Sequence, residues 1–317
     1  MPLDPIVENL LAQMAGRPPM SSLTPQQARA LPTMMGTVYP AGPPLHEVSD
    51  QVVATAGGSV AVRVYLPTSA PRGYATFLHG GGWVIGSIAG YDNFLRAMAH
   101  ETGFAIVSAD YRMAPEHRFP AAVDDAVAVA LWTQAQAASL VLPFVLMGDS
   151  AGANLAAAVA GLFAEQGIEV ALQLLIYPVT DADFDRPSYR ENAEGFMLTR
   201  DSMMWFWDQY APVVADRHDP RAAPLRAGSL AGRAPAFVLT AEYDPLRDEG
   251  EAYAVALQRA GVPAVLRRYD GMIHGFVALR ALCPAAANAH RDMVAAFDAA
   301  ARGIPLASAL GAAARQE

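Results

Sequence analysis

Gly148-Asp149-Ser150-Ala151-Gly152 sets a hydroxyl between two glycines in the pattern G-x-S-x-G. It follows the apolar run Pro143–Met147 and precedes the Ala-rich stretch Ala153–Phe163. That is the strand–turn–helix context in which a serine is thrust out as a nucleophile. The glycines have a steric reason, because so sharp a turn brings backbone against backbone and leaves no room for a Cβ at either end. An ordinary glycine turn with a capping serine has the same letters, so the pattern needs partners. His79-Gly80-Gly81-Gly82-Trp83 is one. Three consecutive glycines are conformationally costly and suit a backbone that points N–H groups at a developing oxyanion. The N–H groups of Gly81, Gly82 and Ala151 are the expected donors. His79 is expected to hold the loop by hydrogen bonding and not to act as a base.

A serine nucleophile also needs a base. His274, in Asp270-Gly-Met-Ile-His274-Gly-Phe276, lies just beyond the last apolar run, where a loop at a strand's C-terminal end can reach the serine. His46, His100, His117, His218 and His290 lack that context. The orienting acid should lie between serine and histidine in chain order. Asp244 directly follows the run Ala236–Thr240, and Pro245 suits the first turn of a helix. Asp248 is the rival; one turn into that helix it reads as a solvated or structural charge. A hydroxyl, an imidazole, a carboxylate and aimed N–H donors together can perform acyl transfer.

The elements that must hold these groups are short apolar runs at Val60–Tyr65, Ala75–Leu78, Phe104–Ala109, Phe144–Met147, Leu172–Tyr177, Ala236–Thr240 and Ala264–Tyr269. Helical patterns cover Ala121–Gln136, Ala151–Gln166, a stretch after Asp244 and Ala286–Ala301. Apolar strands alternating with helices predict an α/β fold, a mostly parallel sheet covered on both faces. Before it, Ile6, Val7, Leu10, Leu11 and Met14 stand at helical spacing, and Thr24-Pro25-x-Gln27 predicts a capped second helix. Between Thr180 and Pro235 no strand is evident. Thr199 can cap a helix there, in which Met203, Phe206, Trp207 and Tyr210 share one face. We expect N-terminal cap helices over residues 1–45, a catalytic domain in two parts, 46–185 and 231–317, and a cap insertion over 186–230. The tail from about Ile304 is small-residue-rich and expected to fray.

Across 317 residues, 53% are hydrophobic and 17% charged, which excludes a disordered chain. A net charge of −9 offers no basic stripe for phosphates and would be repelled by an anionic membrane. Neither nucleic acid nor membrane is an expected partner. Cys283 is the one cysteine, so no intramolecular disulfide and no cysteine-based zinc site can form, and the histidines lack the H-E-x-x-H spacing. No metal is expected. No Lys or Arg precedes Arg17, so no signal peptide is expected, and the chain reads as soluble and cytoplasmic.

The chain resembles the hormone-sensitive-lipase-like branch of the α/β-hydrolases, the microbial carboxylesterase group. The resemblance rests on His79–Trp83, Asp110–His117 with Phe119–Ala122, Gly148–Gly152, Tyr177–Asp181, Asp244–Asp248 and His274–Phe276, in the family's order. It runs from about Pro67 to Phe276; the first fifty or so residues match only loosely, and Ala153 stands where many members carry another glycine. It implies an eight-stranded, mainly parallel sheet, a helical cap, no cofactor and a structural brace at Asp110–Glu116. A homodimer is a further implication. Ala264–Tyr269 reads as the last strand, and its Arg267 and Arg268 read equally as protection of that edge. The expected activity is hydrolysis of short- to medium-chain acyl esters, with Ser150, Asp244 and His274 as triad. Trp83, Met203, Phe206, Trp207 and Tyr210 are the candidate pocket, in which bulky rings would limit acyl length. Trp207 either forms that wall or only holds the cap together. A non-catalytic receptor on the same fold, and an amidase or deacetylase using the same triad, are the alternatives.

Overall fold

Strands form where apolar residues run nearly unbroken, and their pairing decides what the loops can bring together. In the computed structural model, which describes residues 1–313, eight strands form one sheet. They are β1 (Glu47–Thr55), β2 (Gly58–Leu66), β3 (Tyr74–Leu78), β4 (Ala105–Ala109), β5 (Phe144–Asp149), β6 (Leu172–Ile176), β7 (Ala236–Tyr243) and β8 (Ala264–Ile273). Their order across the sheet is β1-β2-β4-β3-β5-β6-β7-β8. The β1/β2 and β2/β4 pairs are antiparallel and the rest parallel, so the fold is α/β with a mixed, mostly parallel sheet.

Parallel pairing sends the C-terminal ends of β3, β5, β7 and β8 to one edge of the sheet. Register does the rest. Leu78 pairs with Gly148, so the glycine loop after β3 emerges beside the turn after β5. Tyr243 pairs with Ile273, so Asp244 and His274, each the next residue, emerge side by side. Between Ala241 and Tyr243 the β7/β8 register shifts, with extra residues on β8 at Gly271, whose φ is +74°. Without that bulge the end of β8 would not meet the end of β7.

Both faces are buried, as parallel sheets require. Along β5, Phe144 and Leu146 join one apolar cluster while Val145 and Met147 join the other. The first cluster is completed by the helices Ala121–Ser139, Ala151–Glu165 and Arg247–Arg259, the second by Ile88–Thr102 and Pro284–Arg302. Ala151–Glu165 is nearly all small residues, which lets it lie close under β3 and β5.

The segment before β1 holds helices at Pro5–Met14, Pro25–Arg29 and Met34–Thr37, and the expected capping box of Thr24 and Gln27 is formed. Between β6 and β7 lie helices Pro187–Glu191 and Arg200–Tyr210 with two short 3₁₀ turns, and no strand. Thr199 caps the longer helix through the Ser202 N–H, at 3.0 Å. The sequence reading differs from the structure in three places. Strand β1 and helix Ile88–Thr102 carry no run or pattern singled out above. The tail, expected to fray, forms a helix at Leu306–Ala313 with Leu306 and Leu310 buried; its last four residues lie outside the described ones.

Candidate active site

Ser150 occupies the turn between β5 and the helix Ala151–Glu165 with φ 54° and ψ −121°. A non-glycine residue in that conformation stores on the order of 1–3 kcal/mol of strain, which the surrounding contacts must hold. They do so at close quarters. The Ser150 N–H donates to Ile176 O at 2.8 Å. A Cβ on Gly148 would sit 2.3 Å from Gly152 O, and one on Gly152 would sit 1.9 Å from Leu78 O. Only glycine fits at either end of the turn.

His274 Nε2 lies 3.0 Å from Ser150 Oγ, and His274 Nδ1 lies 2.7 Å from Asp244 Oδ2. All three side chains are buried. Asp244 Oδ1 accepts from the Leu246 N–H at 2.9 Å, which leaves Oδ2 for the imidazole. That bond fixes the tautomer: Nδ1 carries the proton and Nε2 faces the hydroxyl as acceptor. Tyr177 packs its ring 4.5 Å from His274 and closes the other side. Asp248 does not reach His274; it accepts from the Ser188 N–H and pairs with Arg247. The structure therefore brings Ser150, Asp244 and His274 together and leaves Asp248 in the support of the helix Pro187–Glu191.

Gly81 and Gly82 have φ of +113° and +59°. A Cβ on Gly81 would sit 2.2 Å from Ile85 O, and one on Gly82 would sit 2.2 Å from the Phe206 ring. Among the described residues, none accepts a hydrogen bond from the N–H of Gly81, Gly82 or Ala151. His79 is buried, with Nδ1 2.8 Å from Gly80 O, and burial pushes its pKa down, so the ring is neutral and donates to that carbonyl. Tyr111 stacks on it at 4.4 Å and donates to His79 O.

Three further groups hold this loop and were not singled out from the sequence. Asp149 accepts from the Gly80 N–H at 2.7 Å and from the Tyr91 hydroxyl at 2.9 Å. Arg29, from the N-terminal segment, donates to Val84 O and Ala114 O and pairs with Glu116. Only the charge of Asp149 inside G-x-S-x-G was a signal; the partners of Arg29 lie more than fifty residues away.

The aromatic face of the helix Arg200–Tyr210 meets this loop from above. Phe206 lies on Gly82. Trp83 stacks on Tyr210 at 4.1 Å and meets Trp207 edge-on at 4.9 Å. Trp83, Trp207 and Tyr210 are each 0% exposed, against 2% for Met203 and 5% for Phe206. The three rings pack on one another. The opposite face carries Met204, which is exposed, and Trp205, which is packed on the core cluster. Among the described residues, no group of three or more His, Cys, Asp or Glu side chains could hold a metal ion. Among them too, no helix is long and apolar enough to cross a membrane.

Such a set of groups suits acyl transfer, and comparison with known proteins agrees. Residues 75–278 match a family model described as the alpha/beta hydrolase fold. Ethyl acetate hydrolase of Pseudomonas putida is 40% identical over 240 residues, 73% of this chain and 76% of that protein. The chain belongs to the hormone-sensitive-lipase-like carboxylesterases of the α/β-hydrolase superfamily. A second relative in this family, carboxylic ester hydrolase LipN of Mycobacterium tuberculosis, is 38% identical over 273 residues, 81% of this chain and 72% of its own. The solved hyperthermophilic esterase of Pyrobaculum calidifontis superposes with a TM-score of 0.86 at 37% identity, covering 94% of this chain and 99% of that one.

Proposed function

We propose that this carboxylesterase hydrolyses short- to medium-chain acyl esters through an acyl-enzyme on Ser150. The observation that carries the reading is the line Ser150 Oγ–His274 Nε2 and His274 Nδ1–Asp244 Oδ2, at 3.0 and 2.7 Å. In the first half-reaction Ser150 Oγ attacks the ester carbonyl carbon and its proton passes to His274 Nε2. Asp244 stabilises the imidazolium. The carbonyl oxygen becomes an oxyanion held by the N–H groups of Gly81, Gly82 and Ala151. The C–O bond to the alcohol breaks, and His274 returns the proton to the leaving oxygen. Water then repeats the cycle on the acyl-Ser150, releasing the acid.

Short acyl groups are favoured by the aromatic face pressed on the loop. Phe206 against Gly82 leaves the acyl chain little depth, and each methylene contributes about 0.8 kcal/mol only until the space is filled. The relative named for ethyl acetate is consistent with this. A panel of p-nitrophenyl esters from acetyl to palmitoyl, with a matched p-nitroanilide, tests the reading. We expect a peak of kcat/KM among short to medium chains and little amide turnover. Preference for long-chain triglyceride emulsions, or for the anilide, would overturn it.

A homodimer through the outer edge of β8 is part of the proposal, since among the described residues β7 is the one strand paired with β8, and of that edge the Asp4 N–H engages Gly271 O. Arg267 and Arg268 are engaged within the chain, with Asp292 and Glu251, and are not committed to repelling a second strand. Sedimentation at micromolar concentration should give twice the 33.6 kDa chain mass; a single species at that mass would refute the dimer. We place the protein in the cytoplasm, a reading supported by its one cysteine, which is buried and free; recovery in the cytosolic fraction checks it.

A further inference from the structure

We propose that Asp149 is a positioning residue of the oxyanion loop: its ionised carboxylate, bonded by the Gly80 N–H and the Tyr91 hydroxyl, holds the Gly81 and Gly82 N–H groups toward the Ser150 acyl centre. The inference rests on the esterase reading and adds to it a group that touches neither substrate nor His274.

The geometry is that of a clamp. Asp149 is the last residue of β5, directly before Ser150, so the nucleophile's own strand carries the carboxylate. Oδ1 accepts from Gly80 N at 2.7 Å and Oδ2 from Tyr91 Oη at 2.9 Å. Tyr91 Oη also accepts from Gly80 N at 3.2 Å, which closes a three-membered network. The approach is so tight that a Cβ on Gly80 would sit 2.5 Å from Asp149 Oδ2. Gly81 and Gly82 follow at once in left-handed conformations, and Gly81 O accepts from the Val84 and Ile85 N–H groups at 3.1 and 2.9 Å, so the Asp149 bonds fix the start of a turn that is closed on its far side. An ionised carboxylate accepts from both donors in charge-assisted bonds; a protonated one keeps a neutral, weaker bond from the Gly80 N–H and must reverse or give up the bond with Tyr91.

The titratable groups that interact with Asp149 come from four elements. Tyr91 comes from the helix Ile88–Thr102, Tyr111 from the loop after β4, Tyr177 from the loop after β6 and His274 from the loop after β8. No Lys or Arg is among them, and burial pushes the Asp149 pKa up to about 6, against the pull of the Tyr91 and Gly80 bonds. Asp149 is thus ionised at pH 7 and takes up a proton near pH 6. Acidification through that range should therefore weaken the hold on the loop.

The test measures kcat and KM for p-nitrophenyl acetate from pH 4.5 to 8 in the wild type, Asp149→Asn and Tyr91→Phe, with circular dichroism to check folding. Inhibition by a trifluoromethyl ketone, which forms an oxyanion on serine, is read alongside. Asn keeps the shape and mimics the protonated acid. For Asp149→Asn we expect kcat to fall about 10- to 100-fold with KM within about twofold, and ketone affinity to fall in step. The part of the wild type's acid limb that Asp149 carries near pH 6 should be missing. Tyr91→Phe removes a donor that favours the ionised form, so its acid limb should move to higher pH. An Asp149→Asn variant that keeps its kcat, or loses kcat yet keeps the wild type's acid limb unchanged, overturns the proposal. If that variant does not fold, Tyr91→Phe decides: a limb that stays in place refutes it. A wild type without ester turnover would instead remove the esterase reading itself.

Discussion

Asp149 and Ser150 are neighbours with opposite demands, and both are met by the end of one strand. Ser150 is held in a left-handed conformation by the backbone around it. Asp149 is buried with its charge, and that has a stability consequence whose sign can be worked out. Its folded pKa, about 6, is raised above the roughly 3.9 of a free aspartate, so the folded state holds the proton more tightly. This contribution favours the fold below about pH 4 and is lost as pH rises through about 6. The Asp149→Asn variant should therefore be more stable than the wild type at pH 8 and not at pH 4, by at most about 3 kcal/mol, seen as a higher Tm at pH 8 alone. Thermal melts at the two pH values check this; an equal difference at both would contradict the burial argument. Ser150, Asp244 and His274, which the fold brings together, were legible from residue type, chain order and flanking glycines. Asp149's part was not, because Tyr91 lies 58 residues away and only the fold brings it close.

At the scale of elements, the glycines decide which helix can lie against which strand. Gly152→Ala would drive a Cβ into Leu78 O, joining the helix Ala151–Glu165 to β3 by a clash of backbone, which cannot give way. We expect little soluble protein and no activity, read from expression and far-ultraviolet circular dichroism; a folded, active variant would contradict the account of the turn. The cap helix offers a paired comparison. Trp207→Ala empties a fully buried site and should cost about 3–5 kcal/mol, with loss of turnover on every ester and no change in the preferred chain length. Phe206→Ala opens space over Gly82 and should move the peak to longer chains. Acyl-length profiles of the two variants separate the parts; a shift with Trp207→Ala alone would return that ring to the pocket wall. Seven strands were legible as apolar runs; β3 to β7 are buried on both faces, while β2 and β8 are partly exposed but carry enough apolar residues to read as runs. Strand β1 was not, since of its nine residues only Val53 is buried, and Ser49, Asp50 and Gln51 separate half-buried Val48 from Val52 and Val53. The bulge in β8 was hidden for another reason: Asp270-Gly271 reads as a turn, whereas the strand runs through it to Ile273.

For the whole molecule, the site depends on the N-terminal segment as well as on the sheet. Arg29 ties the short helix Pro25–Arg29 to the carbonyls of Val84 and Ala114 and to Glu116. The Glu116 pair is half exposed and contributes little by itself, whereas the two carbonyl bonds fix the segment beside the oxyanion loop. Arg29→Ala should lower kcat about tenfold while the sheet stays folded, measured by ester turnover and circular dichroism; undiminished turnover would show that the segment only covers the site. Nothing in the sequence around Arg29 marked it, because its partners belong to other elements. The central claim is that Ser150 carries the acyl group, and turnover of p-nitrophenyl acetate by Ser150→Ala, purified free of host esterase, tests it most directly. Members of such a triad act as a unit, so the account predicts a loss on the order of 10⁴–10⁶ in kcat with the fold and Tm preserved. A folded Ser150→Ala variant that turns over the ester at the wild-type rate would contradict it.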